Sequence, residues 1–380
     1  MLLDAQTMPW HPAARDAFER AVSHGWGDPR ATYAEGRRAA AVLDEAREQV
    51  ATVLGCRPDE VAFDSSGAAA ARRAMSGLFH PRQRVSSTII TSAVETASIL
   101  STVDALALNS PESQVGHTTI AVDHDGRVDT DALSAAAQAN AAFACIQAAN
   151  AETGVMQPSA LLADILANRD IPWIMDATAV MPYSAIPEGW SMAVADATAW
   201  GGPAGVGVMA LRTGTRWRSP DYPADAYEFG RVPGMPAVPS IAAAAAALTA
   251  MRSDVQSQSA RLQQLSSQLR AQVAQRINHV QIHSNNEGCP HITSMSFLYT
   301  SGEALASRLD KRGFAVGSGS ACANELHTPS HVLAAMGRLT EGNLRITLPW
   351  DATAEQIDMF VDALVDTVAD VRRAFGAADL

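Results

Sequence analysis

The chain has 380 residues, 47% of them hydrophobic, which suits one large or two closely packed domains around a sizeable core. A net charge of −12 and a pI near 5.2 argue against nucleic acid or an anionic membrane surface as the main partner. No apolar run approaches the roughly 18 residues that cross a bilayer, and Met1-Leu2-Leu3-Asp4 carries no signal-peptide pattern, so a cytoplasmic protein is expected. The four cysteines, Cys56, Cys145, Cys289 and Cys322, are scattered without a C-x-x-C pair, and the histidines show no ligand spacing. Reduced thiols are expected rather than disulfides, and no metal site.

In chain order, a helix is predicted from Pro12 to about Ser23, broken by Gly25 to Pro29, and an amphipathic helix from Tyr33 to Leu54, ended by Gly55. Val61-Ala62-Phe63 reads as a short strand. Ser65-Ser66-Gly67-Ala68 then opens a helix whose small first residues leave backbone N–H groups open to an anion, although an ordinary Ser-capped start explains the same letters. Thr88 to Thr91 is a strand, followed by Glu95-Thr96. Ala142 to Ala149 is a continuous apolar run expected as a strand buried on both sides, with Cys145 as a core thiol. Asn150-Ala151-Glu152-Thr153-Gly154 follows as a turn. Ile171 to Met175 delivers Asp176 at a strand-to-loop junction, and a glycine-rich turn feeds a strand from Val206 to Leu211. Strands alternating with helices from Val61 to Leu211 predict a mainly parallel sheet covered on both faces.

Trp217 to Pro239 is rich in proline and glycine and contains Arg231; Ser240 to Gln275 reads as one or two long helices. From Ile277 the pattern is α+β. An alternating strand is predicted at His291 to Phe297, a helix at Gly302 to Arg312 and a short strand at Phe314 to Val316. The loop Gly317-Ser318-Gly319-Ser320-Ala321-Cys322-Ala323 precedes a strand, Asn343 to Leu348, that contains Arg345. A helix from Ala354 to Phe375 ends the pattern. The expected division is a large α/β domain over 13–245 and a smaller α+β domain built from 1–12 and 246–380.

These stretches, in this order, resemble the class V aminotransferases, and among them the cysteine desulfurases. The loop to Cys322 is the most specific match, supported by Asp176, by Gly202-Pro203-Ala204-Gly205 and by the strand with Arg345. The resemblance implies the type I fold of pyridoxal-phosphate-dependent transferases, with a seven-stranded, mainly parallel sheet in the large domain. It assigns Asp176 to the pyridine nitrogen of the cofactor and Ser66, Gly67 and Ala68 to its phosphate. It further assigns Asn150, Arg231 and Arg345 to the substrate side and Cys322 to sulfur transfer as a persulfide. A homodimer is implied, with a sulfur-transfer or iron–sulfur assembly protein as partner.

The chain departs from that pattern where the chemistry should lie. The family's Schiff-base lysine precedes its Gly-Pro-x-Gly, whereas here Ala199-Trp200-Gly201 stands there. Ala69, Thr96, Ala151 and Ala179 replace four further cofactor contacts. The chain's only lysine, Lys311, ends a helix in the smaller domain, where a basic residue is favoured by the helix dipole. The expected cofactor is therefore none, or pyridoxal phosphate held non-covalently. The leading expectation is a cysteine-desulfurase-like protein in sulfur trafficking that is non-catalytic or uses only its thiol. The alternatives are an active desulfurase or lyase with non-covalent cofactor, and a module that binds a small anion or amino acid.

Overall fold

The computed structural model describes residues 1–4, 7–109, 115–221, 227–318 and 329–377. The strands in chain order are β1 (Leu2–Leu3), β2 (Val61–Asp64), β3 (Thr88–Ser92), β4 (Gly116–Ile120), β5 (Phe143–Cys145), β6 (Trp173–Asp176), β7 (Met192–Asp196), β8 (Gly207–Leu211), β9 (Val280–Ile282), β10 (Ile292–Phe297), β11 (Ala315–Val316) and β12 (Asn343–Thr347). Seven of them form one sheet in the order β2-β8-β7-β6-β5-β3-β4. Every pairing from β7 to β4 is parallel, and β8 is antiparallel to both β7 and β2.

The apolar runs of these strands are continuous because both sheet faces are covered. Side chains alternate across a strand, so consecutive residues enter different cores. Ile174, Val194 and Met209 pack with Met75 and Leu78 of α3 (Gly67–Arg82) and Ile99 of α4 (Ala97–Asn109). Their neighbours Met175, Ala193 and Val208 enter the opposite core. There they meet Leu43 and Val50 of α2 (Ala34–Leu54) and Ile241 and Leu248 of α7 (Val238–Arg252). Helix α1 (Pro12–His24) packs on α7, with Pro12 at its first turn, where a missing N–H leaves no hydrogen bond unmade.

The expected strand Ala142 to Ala149 is a ladder only over Phe143–Cys145. Beyond Cys145 one edge continues, with Ile146 N–H donating to Ile174 and Ala148 N–H to Asp176. On the other edge β3 has ended at Ser92, and the N–H of Gln147 donates instead to the carboxylate of Glu95, at 3.1 Å. A side chain replaces a strand there. The helical stretch predicted from Ser240 is two helices, α7 and α8 (Val255–Arg276), separated at Ser253 and Asp254.

The smaller sheet has the order β12-β10-β9 and is antiparallel throughout. Its middle strand does not alternate between core and solvent as predicted, since all six residues of β10 are buried. Thr293 faces Arg270 of α8, whereas Ile292 packs on Gly154 of the larger unit, so neither face is left to water. Helix α9 (Gly302–Lys311) and helix α11 (Ala354–Ala374) pack together, and α11 also packs on α8. The chain's first residues return to this region. β1 pairs in parallel with β11, Asp4 bridges to Thr347, and Gly317 bridges to Arg345.

Candidate active site

The carboxyl ends of parallel strands are where open α/β sheets place ligands, because the following loops diverge there and backbone groups are left exposed. Here the loop after β3 supplies Glu95 and Thr96, that after β5 supplies Asn150 and Glu152, that after β6 Thr178 and Ala179, and the turn after β7 Ala199. The smaller unit closes the space with His291, Arg345 and Thr347, and with Ser330 and His331 at the start of α10 (His331–Ala335). Together they enclose a cavity of about 330 Å³.

The electrostatics of this cavity are dominated by acids. Glu95 is fully buried; Ser92 Oγ donates to its Oε1 at 2.6 Å and Gln147 N–H at 3.1 Å, while Oε2 has no hydrogen-bond partner among the described residues. Burial pushes its carboxyl up to about 8, and the charge of Asp176 adds to the rise. Glu152 accepts from Ser330 Oγ at 2.8 Å through Oε2, and its buried Oε1 is likewise without a partner among the described residues. Burial raises its pKa, as it does that of Asp176, whose Oδ1 accepts from Thr178 N–H at 2.9 Å. His291 is buried, its Nδ1 has no partner among the described residues, and desolvation holds its pKa down to about 3, so it is neutral. His331 sets its Nε2 at 2.9 Å from the backbone oxygen of Glu95, which makes that nitrogen the donor. Arg345, also buried, reaches out of the strand to Asp4, Nη2 to Oδ1 at 2.9 Å.

The residues singled out by sequence are only partly brought together. Asn150, Glu152 and Arg345 line the cavity, and Asp176 lies beside it at the end of β6. The amide of Asn150 is engaged in shaping the turn. Its Nδ2 donates to Val94, and its Oδ1 accepts from the N–H groups of Glu152 and Thr153. Arg231 lies outside the cavity of its own chain, with its guanidinium over the ring of Phe229, 5.4 Å from the centroid. Ser66, Gly67 and Ala68 do begin α3, but they are not among the cavity's walls. Lys311 is exposed at the end of α9. Cys322 lies outside the described residues.

Sequence reading passed over Glu95, His291 and Thr347 as site residues. Only Glu95 carried a signal, a carboxylate directly after a buried strand.

Pyridoxal phosphate, the cofactor that the resemblance implies, needs an amine for its aldehyde and donors for its phosphate. Of the three residues before Gly202, Ala199 alone reaches the cavity; Trp200 is buried, with Nε1 donating to Ala244, and Gly201 turns the chain at φ 74°. The wall where an amine would have to stand therefore ends in a methyl group. At the start of α3 two of the donors are already taken. Ser66 Oγ accepts from Ala69 N–H, and the carboxylate of Asp196 accepts from Gly67 N–H at 2.7 Å. A carboxylate at that point repels a phosphate dianion instead of binding it. The residues present fit neither the imine nor the phosphate.

Comparison with known proteins agrees with the framework. The family model for aminotransferase class-V matches residues 2–360. An IscS-like cysteine desulfurase of Mycobacterium tuberculosis is 31% identical over 98% of this chain and 97% of its own length. Cysteine desulfurase IscS of Dictyoglomus turgidum is 28% identical over 97% of this chain and 94% of its own. A solved structure described as a NifS-like protein superposes with a TM-score of 0.88 at 24% identity, covering 97% of this chain and 99% of that one, and fixes the fold as type I of the pyridoxal-phosphate-dependent transferases. On sequence and architecture together, the chain belongs to the class V aminotransferase family.

Proposed function

We propose that this chain is a cysteine-desulfurase-like protein that has lost covalent pyridoxal-phosphate chemistry and acts as a non-catalytic or thiol-only subunit in sulfur trafficking. The observation that carries the reading is Ala199, whose methyl group stands in the cavity wall where an imine-forming amine is required. Asp196 on the Gly67 N–H and the exposed position of Lys311 support it. Without a positioned amine, the imine exchange and the α-proton transfer of a desulfurase each lose a catalyst worth roughly 10²–10⁴-fold.

Cys322 is the candidate thiol. Its thiolate would attack the outer sulfur of a donor persulfide, forming Cys322 persulfide and releasing the donor thiolate, with no net oxidation. A homodimer, each chain of which divides into a large domain over 13–245 and a small one from 1–12 and 246–380, a cytoplasmic location, and a sulfur-transfer or iron–sulfur assembly partner complete the proposal. The retained Asp176 favours a second reading, an enzyme that holds the cofactor non-covalently.

The test is to supply pyridoxal phosphate and cysteine and to follow alanine release. The proposal expects no steady turnover and no borohydride-sensitive imine band in the visible. Persulfide labelling after incubation with a persulfide donor is expected to be lost in Cys322→Ser. Steady alanine release would overturn the first part, and unchanged labelling of Cys322→Ser the second.

A further inference from the structure

Two groups that could grip an anion, the start of α3 outside the cavity's walls and Arg345 within them, are each met by one of the chain's own carboxylates. Asp196 takes the Gly67 N–H at the start of α3, and Asp4 holds Nη2 of Arg345. Apart from the guanidinium of Arg345, the lining groups whose buried polar atoms have no hydrogen-bond partner among the described residues can accept hydrogen bonds: Oε2 of Glu95, Oε1 of Glu152, Oγ1 of Thr347 and Nδ1 of His291. Glu95 and Thr347 are at most 1% exposed, so water does not satisfy them cheaply. Around these acceptors the wall is apolar, from Val94, Ala179, Ala199, Ile292 and Val332. Acceptors on an apolar ground ask for a ligand that donates hydrogen bonds and carries positive charge on a short hydrocarbon body.

We propose that the cavity binds a small organic cation, a primary alkylammonium without a carboxylate, seated with its nitrogen against Oε2 of Glu95. The inference rests on the reading that the cavity carries no pyridoxal phosphate. In the empty cavity the Glu95 carboxyl holds its proton at neutral pH, because burial and the charge of Asp176 both disfavour ionisation. Binding is then a proton exchange. The neutral carboxyl loses its proton to solvent, and the ammonium, keeping its own three, pairs with the resulting carboxylate. The groups around Glu95 fit this exchange. Cys145 is buried and protonated, His291 is neutral, and His331 donates to the Glu95 backbone. Asp176 and Glu152 add acidity, and Arg345 is turned onto Asp4.

Titration calorimetry on the full chain, with propylammonium as probe and alanine, propionate and inorganic phosphate as comparisons, tests the proposal. Propylammonium is expected to bind at least about tenfold more tightly than alanine, with no binding of propionate or phosphate. Heats in buffers of different ionisation enthalpy should show about one proton released per amine at neutral pH. Affinity should rise about tenfold per pH unit up to about 8, where Glu95 ionises on its own. Glu95→Gln should weaken binding tenfold or more and abolish the proton release; the wild-type pH profile stands as evidence even if that variant fails to fold. Binding of alanine or propionate as tight as that of propylammonium, an amine affinity flat in pH, or no amine binding at roughly 10 mM would each overturn it. A visible imine band with added pyridoxal phosphate would instead overturn the lost-cofactor reading, and the two failures are told apart by which compound binds.

Discussion

Glu95 makes the protein's stability depend on pH in a direction opposite to that of an ordinary paired carboxylate. Its carboxyl is raised to about 8 in the fold from 4.5, so between those values the folded state holds a proton that the unfolded chain has released. Stability is therefore full below about 4.5 and is lost as pH rises through 8. In Glu95→Gln this loss is removed, and the melting temperature of the variant relative to wild type should climb from about pH 5 to about pH 8. A constant difference across that range would refute the assignment. His291 and His283, depressed to about 3 and about 4, act at the other end. Both are neutral in the fold while the unfolded chain protonates below about 6.5, so stability falls as pH drops from there toward 3. His291→Gln should flatten part of that acid limb in urea titrations. None of this could be read from the letters. A histidine before a strand and a glutamate after one acquire meaning only when β3, β5, β6 and β12 surround them.

Single elements show why some of the chain could be read in advance. Strands such as Val61–Asp64 and Asn343–Thr347 are short, buried and bounded by turn residues, so composition locates them nearly to the residue. The run after Phe143 misleads because hydrophobicity records burial, and burial continues past Cys145 after the ladder on one edge has stopped. Trp173 stitches that stretch to β6. It is 1% exposed, and its Nε1 donates to the Ile146 carbonyl at 2.8 Å. Trp173→Ala should cost about 3–5 kcal/mol by denaturant unfolding, from the cavity it leaves and the carbonyl it orphans. Gly207, the first residue of β8, is held to glycine by close approach, since a Cβ there would sit 2.1 Å from the Ser66 carbonyl. Gly207→Ala should displace the start of α3 and lower the melting temperature measurably, whereas Gly214, with open space around its Cβ position, tolerates the same change sterically and meets only the strain of φ 92°.

At the scale of the molecule, the framework of the family is kept while two of its anion sites are answered from within. Restoring an amine alone should therefore fail. Ala199→Lys is expected to give no stable imine with pyridoxal phosphate, and Ala199→Lys combined with Asp196→Ser to give one, read as a borohydride-sensitive visible band. An imine in the single variant would show that the Asp196 carboxylate is no obstacle. The other internal pair joins distant parts of the chain, since Arg345 of β12 holds Asp4, next to β1. Asp4 is about one-third exposed, so Asp4→Asn should destabilise the fold by only about 1–2 kcal/mol, less than the loss of a fully buried pair.

That junction also sets an order of events during synthesis. Among the described residues Leu2 and Leu3 find their strand partners at Ala315 and Val316, so on the ribosome this segment waits unmated until Ala315 and Val316 have emerged. The seven-stranded sheet can assemble first, leaving Glu95 and Glu152 in contact with water until the late strands arrive. A nascent chain halted before Ala315 would thus present an open acidic cleft, sensitive to proteases and chaperones, that β12 and the start of α10 line in the released protein.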